Sequence, residues 1–228
     1  MSIHLVIFDI DGTLTQTDET DGACYIQALR EVFAFNEINP DWANYRHATD
    51  SGILQEIYKT RKGRHPSESE ISRFRRRFID LLTQVRSLFV PVKGVPSLLA
   101  RLDSSAEYRV ALATGGWSEP ARLKTASAGM SFDDYPSASS DDALDRESII
   151  NLSSQRAAER YGPFESMIYV GDGVWDARTC RHLGIPFIGI AKNDHAVRLL
   201  KEGAVLVLPD FSDADLFLKQ LHKITVRA

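Results

Sequence analysis

The run Val6-Ile7-Phe8-Asp9-Ile10-Asp11-Gly12-Thr13-Leu14-Thr15 ends an apolar stretch with two acids one residue apart. A continuous apolar run of this length is the pattern of a strand buried on both faces, as in a parallel sheet. The carboxyl end of such a strand is where open α/β sheets place their chemistry. With the backbone still extended there, Asp9 and Asp11 lie on the same side of the strand. Two carboxylates held that close are costly unless a cation sits beside them or one keeps its proton. The pair points to acid–base or metal-assisted covalent chemistry. An Asp-Gly turn with solvated acids explains the dipeptide alone, but not the apolar run that leads into it.

Further apolar runs read as parallel strands at Val110–Ala113, Met167–Val170, Phe187–Ile190 and Ala204–Leu208. Helical stretches alternate with them at Pro120–Ala128, Arg146–Tyr161, Asp176–Leu183 and His195–Glu202. This alternation predicts an α/β fold with a doubly wound, mostly parallel sheet. Residues 16–90 break the pattern. They carry helical periodicity in Ala23-Ile26-Leu29-Val32-Phe33 and in Ile71-Phe74-Phe78-Leu81-Leu82, with a polar loop from Lys59 to Glu70 and no convincing strand. The expected organisation is a catalytic core of residues 1–15 and 91–228, with a helical cap domain of residues 16–90 inserted after the first strand. Phe33, Phe35, Phe74 and Phe78 are expected in the core of that cap. Arg73, Arg75, Arg76 and Arg77 point to different azimuths of one helix and read as a solvated face.

The net charge of −4 gives no sign of a nucleic-acid or anionic-membrane binder, and no apolar run is long enough to span a bilayer. The first apolar run is interrupted at Asp9 and does not read as a signal peptide. Cys24 and Cys180 are too few and too far apart for a disulfide framework or a metal knuckle, and are expected as free thiols in a reducing cytoplasm.

Two more strand ends carry chemistry. Val110-Ala111-Leu112-Ala113-Thr114-Gly115-Gly116 ends in a hydroxyl and two glycines that let a ligand approach the backbone closely. Thr114 and the N–H groups after it are suited to phosphoryl oxygens. As a plain strand-to-helix turn, the same segment would use Thr114 as an N-cap. Tyr169-Val170-Gly171-Asp172-Gly173-Val174-Trp175-Asp176 places one acid at a strand end and another four residues on. Magnesium prefers oxygen ligands, so one direct carboxylate from this segment suffices. Asp176 also reads as a simple helix cap.

Together these segments resemble the motifs of the haloacid dehalogenase superfamily, in its phosphatase branch with a helical cap, similar to phosphoglycolate phosphatase and β-phosphoglucomutase. The resemblance covers essentially the whole chain. It implies a magnesium-dependent phosphatase that hydrolyses a small phosphomonoester through an aspartyl phosphate. Asp9 would be the nucleophile and Asp11 the general acid and base. Mg²⁺ would be held by the Asp9 and Asp172 carboxylates and the Asp11 carbonyl, with Asp176 ordering a ligating water. Thr114, Gly115 and a cation upstream of Asp172 would hold the phosphoryl oxygens. Arg146 is expected in that role, because it opens the helix before the strand; Lys124 competes, but reads as a surface residue. Asp50 and Ser51, in Thr49-Asp50-Ser51-Gly52-Ile53, are similar to a cap loop that faces substrate, though locally they read as a helix N-cap.

The expected partner is a small phosphorylated metabolite, with no nucleic acid or membrane, and the chain is expected as a monomer or weak homodimer. Halide needs no protonation on departure, so the presence of Asp11 argues for phosphoryl transfer over carbon–halogen cleavage. A phosphomutase is the nearest alternative, and a non-catalytic module that keeps the fold is a more distant one. Lys59 and Lys62 lack the apolar setting that a Schiff-base lysine needs.

Overall fold

The computed structural model describes residues 2–226; Met1, Arg227 and Ala228, at the ends of the expected core, lie outside it. Its sheet consists of β1 (His4–Phe8), β2 (Tyr108–Ala113), β3 (Ser137–Ala138), β4 (Ser166–Gly171), β5 (Phe187–Ile190) and β6 (Leu206–Leu208). All pairings are parallel, in the order β3-β2-β1-β4-β5-β6. The chain builds outward from β1 to β3, then returns to the other side of β1 and builds from β4 to β6. Strand order therefore reverses between β1 and β4, and a crevice is expected outside the carboxyl ends of the strands at that point. Phe8 pairs with Leu112 on one side and Val170 on the other, so the residues following β1, β2 and β4 emerge side by side.

The apolar runs are continuous because both faces are covered. Val6, Phe8, Val110, Leu112, Ile168 and Val170 pack against one helical layer. That layer consists of α4 (Val95–Asp103), α5 (Ser118–Ser127) and α9 (Ala214–Thr225). Leu5, Ile7, Ala111, Ala113 and Tyr169 face the opposite layer, α6 (Arg146–Tyr161), α7 (Val174–Leu183) and α8 (Asn193–Glu202). Alternate residues of each strand thus serve different cores, as the period of two requires.

Between β1 and α4 lie α1 (Asp18–Phe33), α2 (Asp50–Lys62) and α3 (Glu68–Gln84), and among the described residues of this stretch no strand forms. Ser67 and Glu70 start α3 with a reciprocal capping box. The three helices close on an aromatic core in which Tyr25 packs edge-on to Phe74 and Phe78, at centroid distances of 4.9 and 5.3 Å. Trp117, from the loop after β2, is fully buried in the same cluster. The helical insertion is therefore keyed to the sheet by a side chain that the sheet's own loop supplies.

Several local expectations change. The polar loop expected over Lys59–Glu70 is shorter, because α2 continues to Lys62 and ends at the left-handed Gly63. The Ser/Asp-rich stretch Ser137–Asp142 begins with the edge strand β3. Thr49, not Asp50 or Ser51, caps α2: its hydroxyl accepts from Gly52 N. Thr114 is not an N-cap either, since α5 starts only at Ser118 after Trp117. Of the consecutive arginines, Arg75 is not simply solvated, for it pairs with Asp141 at 2.7 Å and lies over the Trp117 ring.

Candidate active site

The carboxyl ends of β1, β2 and β4 bring Asp9, Thr114 and Asp172 to one crevice, in a cavity of about 560 Å³ between the sheet and the helical insertion. Asp9 continues the β1 ladder, its N–H donating to Val170 O at 2.9 Å. The residue is 3% exposed. Carboxylate oxygens of Asp9, Asp172 and Asp176 lie within 4.8 Å of one another. Gly12 adopts φ +72°, and a methyl group on it would overlap the Asp172 carboxylate. The glycine after the acid pair thus lets the first loop turn tightly beneath the fourth strand's acid.

Burial dominates the electrostatics. It pushes Asp9 up to about 8; Arg146 opposes this, while Asp176 and Asp11 add to it. Asp172 is held well above the usual carboxylate range by burial and then by Asp9 and Asp176. Asp176 is raised by burial and tempered by Arg146. Three clustered acids that suppress one another's ionisation are the donor set a hard divalent cation fits, since it prefers carboxylate oxygens and relieves their repulsion.

Arg146, at the first turn of α6, reaches into this cluster. Its Nη1 donates to Asp176 Oδ1 at 2.7 Å and to Asp9 Oδ1 at 3.3 Å, and its Nε donates to Ala48 O at 3.0 Å. Gly115 leaves room for this, because a side chain there would strike the guanidinium and Ala48 O. Thr114 is buried and lines the cavity, its hydroxyl accepting from Gly116 N at 3.0 Å. Asp176 both accepts from Gly173 N and pairs with Arg146, so its capping and charge roles coexist.

Lys124 is the principal correction. It is no surface residue but 1% exposed, with its ammonium 2.6 Å from Asp11 Oδ2 and 2.8 Å from Asp21 Oδ1. Burial alone would lower its pKa, but Asp11, Asp21 and Asp50 overcome that and hold it above its ordinary value. Thr17 donates to the other oxygen, Asp11 Oδ1, at 2.5 Å. Asp11 is thus gripped from both sides, whereas Arg146 serves Asp9.

Of the two insertion residues expected to face a ligand, Asp50 lines the cavity and Ser51 does not. Asp50 accepts from Trp117 N at 2.9 Å and its own N–H donates to Gly115 O at 2.8 Å. Ser51 is turned to the sheet side, donating to Ser140 O and accepting from the Trp117 indole. Asp21, Thr17 and His195 were not singled out from the sequence. His195 lines the cavity with Nε2 2.7 Å from Asp172 O. A Thr just before a helix or an Asp inside its first turns carries no spacing signal, and a lone His at a helix start reads as solvated.

A model of the haloacid dehalogenase-like hydrolase family matches residues 3–184. Protein CbbY of Rhodobacter capsulatus is 28% identical over 123 residues, which is 50% of this chain and 51% of that protein, so the match spans about half the length of this curated relative. A hydrolase from Pseudomonas syringae superposes with a TM-score of 0.76 at 17% identity, over 96% of this chain and 99% of that one. CbbY from Rhodobacter sphaeroides, solved in complex with phosphate, gives 0.70 at 16% identity, over 92% and 96%.

Proposed function

This chain belongs to the haloacid dehalogenase-like hydrolase family, and from that premise we propose that it is a magnesium-dependent phosphatase acting on a small phosphomonoester through an aspartyl phosphate. The observation that carries this reading is the convergence of Asp9 with Asp172, Asp176 and Arg146 at the reversal of strand order, with Asp11 one strand repeat away. The phosphate complex of the CbbY structure supports it by fold likeness.

In this reading Asp9 is the nucleophile. One of its oxygens forms a bond to phosphorus while the ester P–O bond breaks, and Asp11 gives its proton to the departing oxygen. Water then attacks phosphorus and yields its proton to Asp11. The P–O bond to Asp9 breaks, releasing inorganic phosphate and restoring both acids. Arg146, Thr114 and the Gly115 backbone hold the equatorial oxygens, where charge accumulates. The carboxylates of Asp9 and Asp172 would hold Mg²⁺ together with the Asp11 carbonyl, with Asp176 behind them. The ion would supply charge neutralisation at the phosphoryl oxygens. Residues 16–90 act as a cap that excludes bulk water when shut. The carboxyl acid at Asp11 supports a leaving group that needs a proton, which an alkoxide does and a halide does not.

The deciding experiment follows phosphate release from p-nitrophenyl phosphate with and without magnesium, in the natural chain and in Asp9→Asn. Turnover that requires magnesium and falls on the order of 10⁴-fold or more in the variant is expected. Residual hydrolysis within tenfold of the natural chain would show that Asp9 is not the attacking group. Beryllium fluoride should bind beside Asp9 only in the presence of magnesium.

A further inference from the structure

The cavity over Asp9 must also hold the part of the ester that is not transferred, and its two walls differ in charge. Its basic side chains come from the sheet side, as Arg146, His195 and Arg198. Arg146 is committed to Asp9 and Asp176, and His195 contacts the Asp172 carbonyl. Arg198 is exposed at the outer edge of α8, one helical turn beyond His195 and within electrostatic reach of Glu202.

The wall contributed by the insertion is of the opposite kind. It presents Asp18, Glu19, Asp41 and Asp50 alongside the aromatic rings of Tyr25 and Trp42. Among the described residues, no lysine, arginine or histidine of the insertion lines the cavity. Among the described residues Asp18, Glu19 and Asp41 are in no ion pair, whereas Asp21 is satisfied by Lys124, and buried Asp50, pushed up to about 8, keeps its proton at neutral pH and accepts from Trp117 N. Lys124 cannot serve a ligand, being fully buried between its two acids. Tyr25 and Trp42 meet edge to face at 5.8 Å, so the acids are set beside an aromatic surface.

A carboxylate or second phosphate on the leaving group would face like charge in the exposed acids Asp18, Glu19 and Asp41, with no cation of the insertion along the cavity to offset it. An ammonium would be matched by them and attracted by the rings. Resting on the phosphatase reading, we propose that the substrate is the phosphomonoester of an amino alcohol, its phosphoryl group at Asp9 and its protonated amine against the acidic, aromatic wall of the insertion.

A matched series tests this: 2-aminoethyl phosphate, 2-hydroxyethyl phosphate and phosphoglycolate, which differ only in the group at the far end. A larger pair, glucosamine 6-phosphate and glucose 6-phosphate, asks the same question at a size nearer that of the cavity. The amine should exceed the hydroxyl ester about tenfold in kcat/KM and the carboxylate about 100-fold, loss and then reversal of the charge facing the acids each costing about a factor of ten. The double variant Asp18→Asn, Glu19→Gln and, separately, Asp41→Asn should lower the amine-to-hydroxyl ratio toward one. Equal or better turnover of the hydroxyl or carboxylate ester, with p-nitrophenyl phosphate still cleaved, overturns the inference and leaves the phosphatase reading standing. No turnover of any ester, p-nitrophenyl phosphate included, overturns both.

Discussion

Lys124 donates to Asp11 at 2.6 Å and to Asp21 at 2.8 Å, joining the acid that follows β1 to the first helix of the insertion through one buried ammonium. Neither acid is compensated there by another cation among the described residues. Burial pushes Asp21 up to about 6 even with Lys124 opposing it. The ammonium is what allows both parts of the chain to bring acids to the same place.

Lys124→Met should therefore destabilise the fold by about 3–5 kcal/mol, the cost of leaving buried charge unpaired. Adding Asp21→Asn to that variant should restore part of the loss by removing one of the stranded charges. Urea denaturation of the two variants checks this. A double variant no more stable than the single one would mean the lysine acts by packing alone.

Asp11→Asn keeps the shape of the side chain but cannot hand over a proton. Esters of alkyl alcohols should lose on the order of 10²–10⁴ in kcat/KM, while p-nitrophenyl phosphate, whose leaving group needs little protonation, should lose far less. Equal losses across leaving groups would remove Asp11 from the role of acid.

Stability should fall as pH rises through neutrality when divalent cations are absent. Burial raises Asp9 and Asp50 to about 8 and Asp21 to about 6, above their ordinary value of 3.8. Between about pH 4 and 8 the folded chain therefore keeps protons that the unfolded chain has released, and linkage lowers stability with each step upward. Magnesium added at pH 8.5 should raise the melting temperature more than at pH 5.5, because the metal needs Asp9 deprotonated. A magnesium effect independent of pH would disconnect the metal from this carboxylate cluster.

Gly12→Ala should weaken both activity and magnesium affinity. The residue sits at φ +72°, and the new methyl would be driven into the Asp172 carboxylate. The backbone strain alone is worth about 1–2 kcal/mol, and the displaced acid adds a functional loss. Calorimetric titration with magnesium should reveal the weakened affinity; unchanged affinity with normal turnover would show that the loop yields without moving Asp172.

The strand ends were legible because each acid or hydroxyl follows an apolar run that only a doubly covered strand explains. Phe187–Ile190 and Arg146–Tyr161 match the structure residue for residue. β3, with only Ser137 and Ala138, is too short and polar to give any pattern. Lys124 failed for a different reason. Helical spacing assigns a face but cannot show what covers it, and Asp21, which helps to bury this lysine, lies 103 residues earlier in the chain. The place of Arg146 before β4 pointed to the strand-end acids it reaches, whereas Trp117 gave no hint that a residue of the sheet's loop would complete the aromatic core of the insertion.

The two chain crossings that connect the insertion to the sheet are bonded to each other. Gln16 N donates to Val90 O and Val92 N to Leu14 O, both at 2.9 Å, and Thr15 bridges Pro91 in antiparallel fashion. Two independent threads would let the helical part swivel, slide and twist. A hydrogen-bonded ribbon flexes readily across its plane but resists shear within it, because shear would break its cross-links. A movement of the helices about this strap would have one soft direction of travel, like a door on a strap hinge, and its return would bring Asp21 and Asp50 back to the same places in the wall of the cavity.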